Sequence, residues 1–234
     1  MTAGMLGPYK LGPYDQDTWG IMTGDARELA RAIPDESVDL VFTDPVYDRI
    51  EDYRWLAETA ARVLKPDSAC LVWCGIGYLP EIHQALLAGG LSYRWRLVIK
   101  PVWKLEFHGK LLVGSQECLW YEKGCSKLYQ SQLDVQMSTQ KGNHQVNGAN
   151  WGKSAQVLGR FISAFSISGA TVLDPFTGGG TVPAVCKQLN RRWLAFEINP
   201  DTAATARQRV QQTQPPLPGL VVQQIELEFA EVAQ

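Results

Sequence analysis

Apolar and polar positions switch between two periods along this chain, and the switches mark its elements. Gly20–Thr23 reads as a short strand ending at Gly24-Asp25, and Ala26–Ile33 reads as a helix. Val38–Thr43 is an apolar run suited to a buried strand, and it leads directly into Asp44-Pro45. A helix over Glu51–Leu64 follows, with Leu56, Ala60 and Val63 on one face, and Lys65-Pro66-Asp67 ends it. Ala69–Trp73 is a second buried strand, and Pro80–Leu87 suits a helix stopped by Gly89-Gly90. Two strand-rich runs come next, Leu91–Val102 and Cys118–Tyr121. Gly124–Trp151 is rich in Gln, Ser and Asn, shows no clear period, and reads as a long functional loop or small lobe. Regularity then returns. Ser154–Phe165 is a helix, Thr171–Leu173 a strand ending in Asp174, and Thr181–Leu189 a helix. Arg192–Phe196 is a strand ending in Glu197, and Pro200–Gln211 a helix. Pro215–Gly219 reads as a stiff linker, and Leu220–Phe229 alternates like a final strand.

Strands alternating with helices imply βαβ units, so the expected fold class is α/β with a mostly parallel sheet. The simplest organisation is one domain over residues 19–234 with an inserted region at roughly residues 100–152. An arm over residues 1–18 precedes it, carrying the echo Leu6-Gly7-Pro8-Tyr9 and Leu11-Gly12-Pro13-Tyr14. Two copies are too few for a repeat architecture, so this segment either lies over the domain or is a disordered leader.

Composition narrows the picture. The 234 residues suffice for one well-covered α/β domain, and 45% hydrophobic with 20% charged residues is ordinary for a soluble protein. No apolar run reaches the roughly 18 residues of a membrane span, and Met1–Met5 lacks the basic start and apolar core of a signal peptide. A cytoplasmic location with no membrane partner is the expectation. The five cysteines form no C-x-x-C pair and the histidines number three, which argues against zinc, so no metal is expected. The net charge of -2 conceals an asymmetry. Arg94–Lys153 holds nine Lys/Arg against four Asp/Glu, while the rest of the chain is acidic. Screening confines each field to roughly 8–10 Å, so this segment can meet phosphates despite the total. A pair of solvated strand faces would give the same count.

Two loops carry candidate chemistry. Leu173–Thr181 includes Asp174, Phe176, Gly178, Gly179 and Gly180 at a strand-to-helix junction. Glycines there permit a sharp turn and close ligand approach, and the helix start offers free N–H groups. Glu197 ends the next strand, where an acid in doubly wound folds binds ribose hydroxyls. The pair predicts a nucleoside-containing cofactor. The spacing is neither the dinucleotide fingerprint nor a P-loop. The second loop, Asp44-Pro45-Val46-Tyr47, follows a buried strand at the carboxyl edge of the sheet. An acid to accept N–H bonds beside a ring to stack a base suits an aromatic amine. For four residues alone, a turn aspartate beside a core tyrosine explains the same pattern.

Together these motifs resemble the S-adenosylmethionine-dependent amino methyltransferases of DNA, which carry an Asp-Pro-Pro-Tyr-type loop and a Phe-x-Gly-x-Gly loop. Asp44–Tyr47 and Phe176–Gly180 match them, in the permuted order often called the β class. Gly24-Asp25 resembles the family's acidic motif facing the cofactor's adenine, and Trp120–Gly124 resembles a strand motif of its recognition half. Val46 replaces the second proline, and Asn150–Ser154 shares only Lys153 with the family's His-Pro-Thr-x-Lys-Pro segment. The resemblance implies a Rossmann-like seven-stranded sheet of the class I methyltransferase type, with residues 100–152 as target-recognition region. It implies double-stranded DNA as partner, S-adenosylmethionine as cofactor and a homodimer. It marks Asp44, Pro45 and Tyr47 for catalysis, and Asp25, Lys153, Asp174, Phe176, Gly178, Gly180, Thr181 and Glu197 for the cofactor.

The expected reaction is methylation of the exocyclic N6 of a flipped-out adenine. Asp44 and the Pro45 carbonyl would accept the amine hydrogens, and Tyr47 would stack the base. The basic segment would hold the DNA, with Trp95, Trp103, Phe107, Trp120 and Tyr129 among Lys100, Lys104, Lys110 and Lys127, although each aromatic fits a core equally well. Two alternatives stay open: N4-cytosine methylation, which the family more often associates with Ser at the head of the loop, and a catalytically weak cofactor-binding recognition subunit.

Overall fold

The computed structural model describes residues 4–101, 106–108, 111–131, 134–138, 145–146, 149–150 and 153–215; for 106–108, 111–112, 145–146 and 149–150 only the backbone is described. The expected strand over Leu220–Phe229 and parts of the Gly124–Trp151 stretch lie outside these residues.

Eight strands form the main sheet: β1 (Ile21–Thr23), β2 (Val38–Thr43), β3 (Leu64–Cys74), β4 (Ser92–Pro101), β5 (Gln116–Lys123), β6 (Val135–Ser138), β7 (Thr171–Asp174) and β8 (Arg192–Glu197). Their spatial order is β6-β4-β5-β3-β2-β7-β8-β1. Only β5 runs antiparallel to its neighbours, so the sheet is mostly parallel as the alternating pattern predicts. Among the described residues six α-helices accompany it: α1 (Ala26–Leu29), α2 (Ile50–Val63), α3 (Leu79–Ala88), α4 (Ala155–Phe165), α5 (Thr181–Gln188) and α6 (Pro200–Gln212).

Successive strand side chains point to opposite faces, and β2 shows what that does here. Val41 enters the layer formed with α1, α2 and α3, where Ala26, Leu56, Ala60 and Leu86 pack. Leu40 and Phe42 enter the opposite layer with Phe161 of α4, Val185 of α5 and Val210 of α6. Burial on both faces explains the unbroken apolar run in β2.

Three differences from the sequence expectation have local causes. The helix at Ala26 tightens into a 3₁₀ turn over Ala30–Ala32, because Ile33 precedes Pro34 and is extended at ψ 127°. Strand β3 starts five residues early, at Leu64 (ψ 137°); the next residue, Lys65, precedes Pro66, which favours extended backbone. Strand β6 rises from the polar stretch and makes the sheet one strand larger than the seven expected. Its inward positions are Gln136 and Ser138, so its alternation is invisible in hydrophobicity; Arg160 of α4 donates to Gln136 Oε1 at 2.8 Å.

The N-terminal arm lies over the domain. Met5–Leu6 pairs with Tyr9–Lys10, Leu6 and Leu11 are buried, and Gly12 exchanges two 3.1 Å backbone hydrogen bonds with Trp193 of β8. Among the described residues no helix is long and apolar enough to cross a membrane.

Candidate active site

Parallel strands deliver their carboxyl ends to one edge, and the acids singled out in the sequence gather there. Asp44 follows β2, Asp174 ends β7, Glu197 ends β8, and Asp25 stands two residues beyond β1. Register fixes their approach. Glu197 pairs with Thr23, and the Gly24 N–H donates to the Glu197 carbonyl at 3.0 Å, so Asp25 and Glu197 flank one cleft. Asp25 caps α1 by accepting from the Arg27 N–H at 2.8 Å, and Glu197 Oε1 accepts from the Asn199 N–H at 2.9 Å. Strand β2 pairs Val41 with Leu173 of β7, and Thr43 Oγ1 then donates to Asp174 Oδ1 at 2.7 Å across 131 residues of sequence. The Phe176 N–H approaches both oxygens, at 3.2 and 3.3 Å.

The cleft has two parts. One, of about 270 Å³, is lined by Asp25, Phe196, Glu197 and Ile198. The other, of about 120 Å³, is lined by Trp73, Lys153, Asp174, Thr177 and Thr181. Asp44, Phe176 and Gly178 line both and so mark the junction. Phe176 is held edge-on by Trp55, with centroids 5.7 Å apart. Gly178 has φ +50° and leaves open space where a Cβ would sit, whereas Gly180, at φ +74°, turns its Cβ position into the backbone of Ala206. The loop therefore uses one glycine to face the cleft and another to close against α6. Asp174 is fully buried, and that burial pushes its carboxyl up to about 7 against the lowering effect of its donors. Thr181 faces the cleft's rim while its Oγ1 accepts from Arg209 at 2.6 Å.

Around Asp44 the arrangement is specific. Its Oδ2 lies 2.9 Å from Lys153 Nζ, and its Oδ1 is buried with no hydrogen-bond partner. The same ammonium donates to Tyr47 Oη at 2.6 Å and sits 4.7 Å from the centre of the Trp73 ring. Burial, with the Asp44 charge adding to it, pushes the Tyr47 phenol well up. Pro45 is buried and Val46 is 56% exposed. The structure thus brings every singled-out residue of both loops to one edge, and it puts Lys153 on the Asp44 loop as well as in the cleft. Sequence reasoning passed over Thr43 and Trp73. Both sit in strands read as core; Thr43 meets Asp174 on the neighbouring strand, and Trp73 meets Lys153 from just before α4.

The basic segment divides. Trp120 is core, edge-on to Phe165 at 4.7 Å, while Trp95 (53%) and Tyr129 are exposed, as are Lys100 and Lys127. Trp103, Lys104, Lys110 and the Phe107 side chain lie outside the described residues. Among the described residues no group of three His, Cys, Asp or Glu side chains is placed to hold a metal.

Comparison with known proteins bears on the fold and the family. Type II methyltransferase M.BamHI of Bacillus amyloliquefaciens is 24% identical over 78% of this chain, which spans 55% of that relative's length. The M1.HpyAVI–SAM complex superposes with a TM-score of 0.69 at 21% identity, covering 81% of this chain and 97% of that one. The cytosine-N4-specific PvuII DNA methyltransferase gives 0.70 at 18% identity, covering 81% and 85%. At such identities these likenesses establish the fold alone. A family model for DNA methylases of the N6 and N4 type matches residues 38–208, and the chain belongs to that family.

Proposed function

We propose that this protein transfers a methyl group from S-adenosylmethionine to an exocyclic amine of a DNA base, the N6 of adenine. The observation that carries this reading is the buried, unpartnered Asp44 Oδ1 at the junction of the two cleft parts. A buried acceptor without a donor costs about 1–3 kcal/mol, and an amine hydrogen supplies the missing donor.

The residues present fit the cofactor. It joins a nucleoside to an amino acid through a sulfonium, and the cleft joins an Asp25/Glu197 part to an Asp174/Thr181 part. Glu197 and Asp25 would hold the nucleoside end, with Phe176 walling it. Asp174, Gly178, Gly180 and Thr181 form the turn at the amino-acid end, with the open Cβ position of Gly178 leaving room for it. When bound, S-adenosylmethionine supplies an electrophilic methyl carbon. The protein supplies position and charge. Asp44 Oδ1 and the Pro45 carbonyl accept the two amine hydrogens, which draws the nitrogen lone pair out of the ring system. A bond from nitrogen to the methyl carbon replaces the carbon–sulfur bond, and the nitrogen releases one proton to water. The amine of a paired base is inaccessible in the duplex, so the base is extruded, with Tyr47 beside it.

An acid at the head of the loop favours adenine. The shared fold of a cytosine-N4-specific enzyme keeps N4 methylation as the second reading. The test incubates the protein with labelled S-adenosylmethionine and mixed-sequence duplex DNA, followed by digestion to nucleosides. Label in N6-methyl-2′-deoxyadenosine, lost in Asp44→Ala, is the expected result. Label in N4-methyl-2′-deoxycytidine selects the second reading. Cofactor binding without any labelled DNA would mean a recognition subunit and would overturn both.

A further inference from the structure

Lys153 was singled out for cofactor binding by its place in a sequence motif, yet its hydrogen bonds point elsewhere. Its ammonium has three donors. One meets Asp44 Oδ2 at 2.9 Å and another meets Tyr47 Oη at 2.6 Å. The faces of Trp73, at 4.7 Å, and Tyr47, at 5.3 Å, cover it further, and the side chain is 11% exposed. An ammonium this enclosed keeps its charge partners or loses stability, so its position and that of the loop are tied together.

The support for that position comes from the opposite layer. Lys153 immediately precedes Ser154, the N-terminal cap residue of α4, and α4 is anchored through Val157, Leu158 and Phe161 against β2 and β3. The loop at Asp44 emerges from β2 in the middle of the sheet. A cation carried on a packed helix start therefore clamps a short loop carried on a packed strand. By holding Oδ2, it stops the carboxylate from turning about its own bond, and Oδ1 stays the oxygen presented to a substrate. By holding Tyr47 Oη, it fixes the ring two residues beyond the loop's proline. Such a rigid support behind a functional group is what keeps reacting atoms within the narrow tolerance that proximity effects demand.

We infer that Lys153 is a positioning residue for Asp44 and Tyr47, acting on the methyl-transfer step more than on cofactor affinity. This rests on the reading of Asp44 as the acceptor of the amine hydrogens.

Lys153→Met keeps the stem and removes the charge, and Lys153→Arg keeps the charge. Two quantities are measured on each: the Kd for S-adenosylmethionine by calorimetry, and the single-turnover rate of methyl transfer to duplex DNA at saturating cofactor. The Met variant is expected to bind cofactor within about threefold of wild type and to transfer roughly thirty- to a hundredfold more slowly, the loss of one charged hydrogen bond in a reactive geometry. The Arg variant is expected to recover about tenfold or more of that rate. Four outcomes overturn the inference: a Met variant as fast as wild type; a Kd weakened as much as the rate, which makes Lys153 a cofactor residue; an Arg variant no faster than the Met variant; or loss of folding in both. A wild type that binds cofactor and labels no DNA overturns the functional reading first, and the inference with it.

Discussion

Two glycines in one loop should fail in different ways. Gly178 (φ +50°) and Gly180 (φ +74°) both occupy the left-handed region, where an alanine costs about 1–2 kcal/mol. At Gly180 a Cβ would also lie 2.8 Å from Ala206 Cβ, 3.0 Å from its Cα and 3.1 Å from its carbonyl oxygen. Those atoms belong to helix α6, whose own Ala203, Ala206 and Val210 are buried, so they have little room to retreat. Overpacking of this kind adds about 1–3 kcal/mol. Gly180→Ala should therefore lose about 2–5 kcal/mol, a fall in Tm of roughly 4–20 °C for a domain of this size. At Gly178 a Cβ meets nothing within 4 Å. Gly178→Ala should lose only the conformational part, roughly 2–8 °C.

The functional effects should run the other way. The methyl added at position 178 occupies space in both parts of the cleft, and relieving that overlap should weaken S-adenosylmethionine binding about tenfold to a hundredfold. Melting curves with and without cofactor separate the two. Wild type and Gly180→Ala should both gain stability on adding cofactor, about 2.7 kcal/mol at a hundredfold excess over Kd. Gly178→Ala should gain only about 0.4–1.4 kcal/mol at the same concentration. If Gly178→Ala melts as low as Gly180→Ala while binding cofactor normally, the cleft has been placed on the wrong side of this loop.

Three more predictions test neighbouring groups. Burial pushes the Asp174 carboxyl from an ordinary 3.8 up to about 7, so the folded state keeps a proton that the unfolded chain releases. Its contribution to stability is full below the unfolded value and is lost as pH rises toward about 7, so Tm should fall across that window more steeply in wild type than in Asp174→Asn. Equal slopes would refute it. Thr43→Val removes the hydroxyl that donates to Asp174 and should cost about 1–3 kcal/mol by urea unfolding. Val46 is 56% exposed, so Val46→Pro should methylate within about twofold of wild type; proline fits where its fixed φ matches the backbone, and a severe loss would show a loop path that proline cannot follow.

Much of the architecture was legible because burial wrote it in apolar residues. The run Val38–Thr43 had to be covered on both faces, and the strand it forms sets Asp44 at the sheet edge. Glu197 was legible because an acid directly after a buried strand has no packing role. The edge strand Val135–Ser138 was not, since its inward residues are Gln136 and Ser138, paid for by partners far along the chain. Lys153 was legible as a residue and illegible as a contact. Its partner stands 109 positions away, and only the packing of α4 over β2 and β3 decides whether its charge turns toward the cofactor or toward Asp44. The permuted motif order mattered little for the same reason. Strands β2 and β7 are neighbours in the sheet, so Thr43 and Asp174 touch whichever comes first in the chain.

Four acids meet at one sheet edge, and each is held by a donor. Asp25 accepts from the Arg27 N–H, Glu197 from the Asn199 N–H, Asp174 from Thr43 Oγ1, and Asp44 from Lys153. The arrangement is asymmetric. Among these four, Asp44 is the one with a buried oxygen that no donor reaches. The donors on the adjacent strand ends, Thr43 Oγ1 and the Phe176 N–H, are committed to Asp174. Lys153 likewise takes Oδ2 and leaves Oδ1. A fold that satisfies three acids and orients the fourth, while leaving its second oxygen open at the junction of a two-part cleft, has confined an unmet hydrogen bond to one atom. On the proposed reading, the hydrogen of an exocyclic amine would meet that need, and the open oxygen is where it would be received.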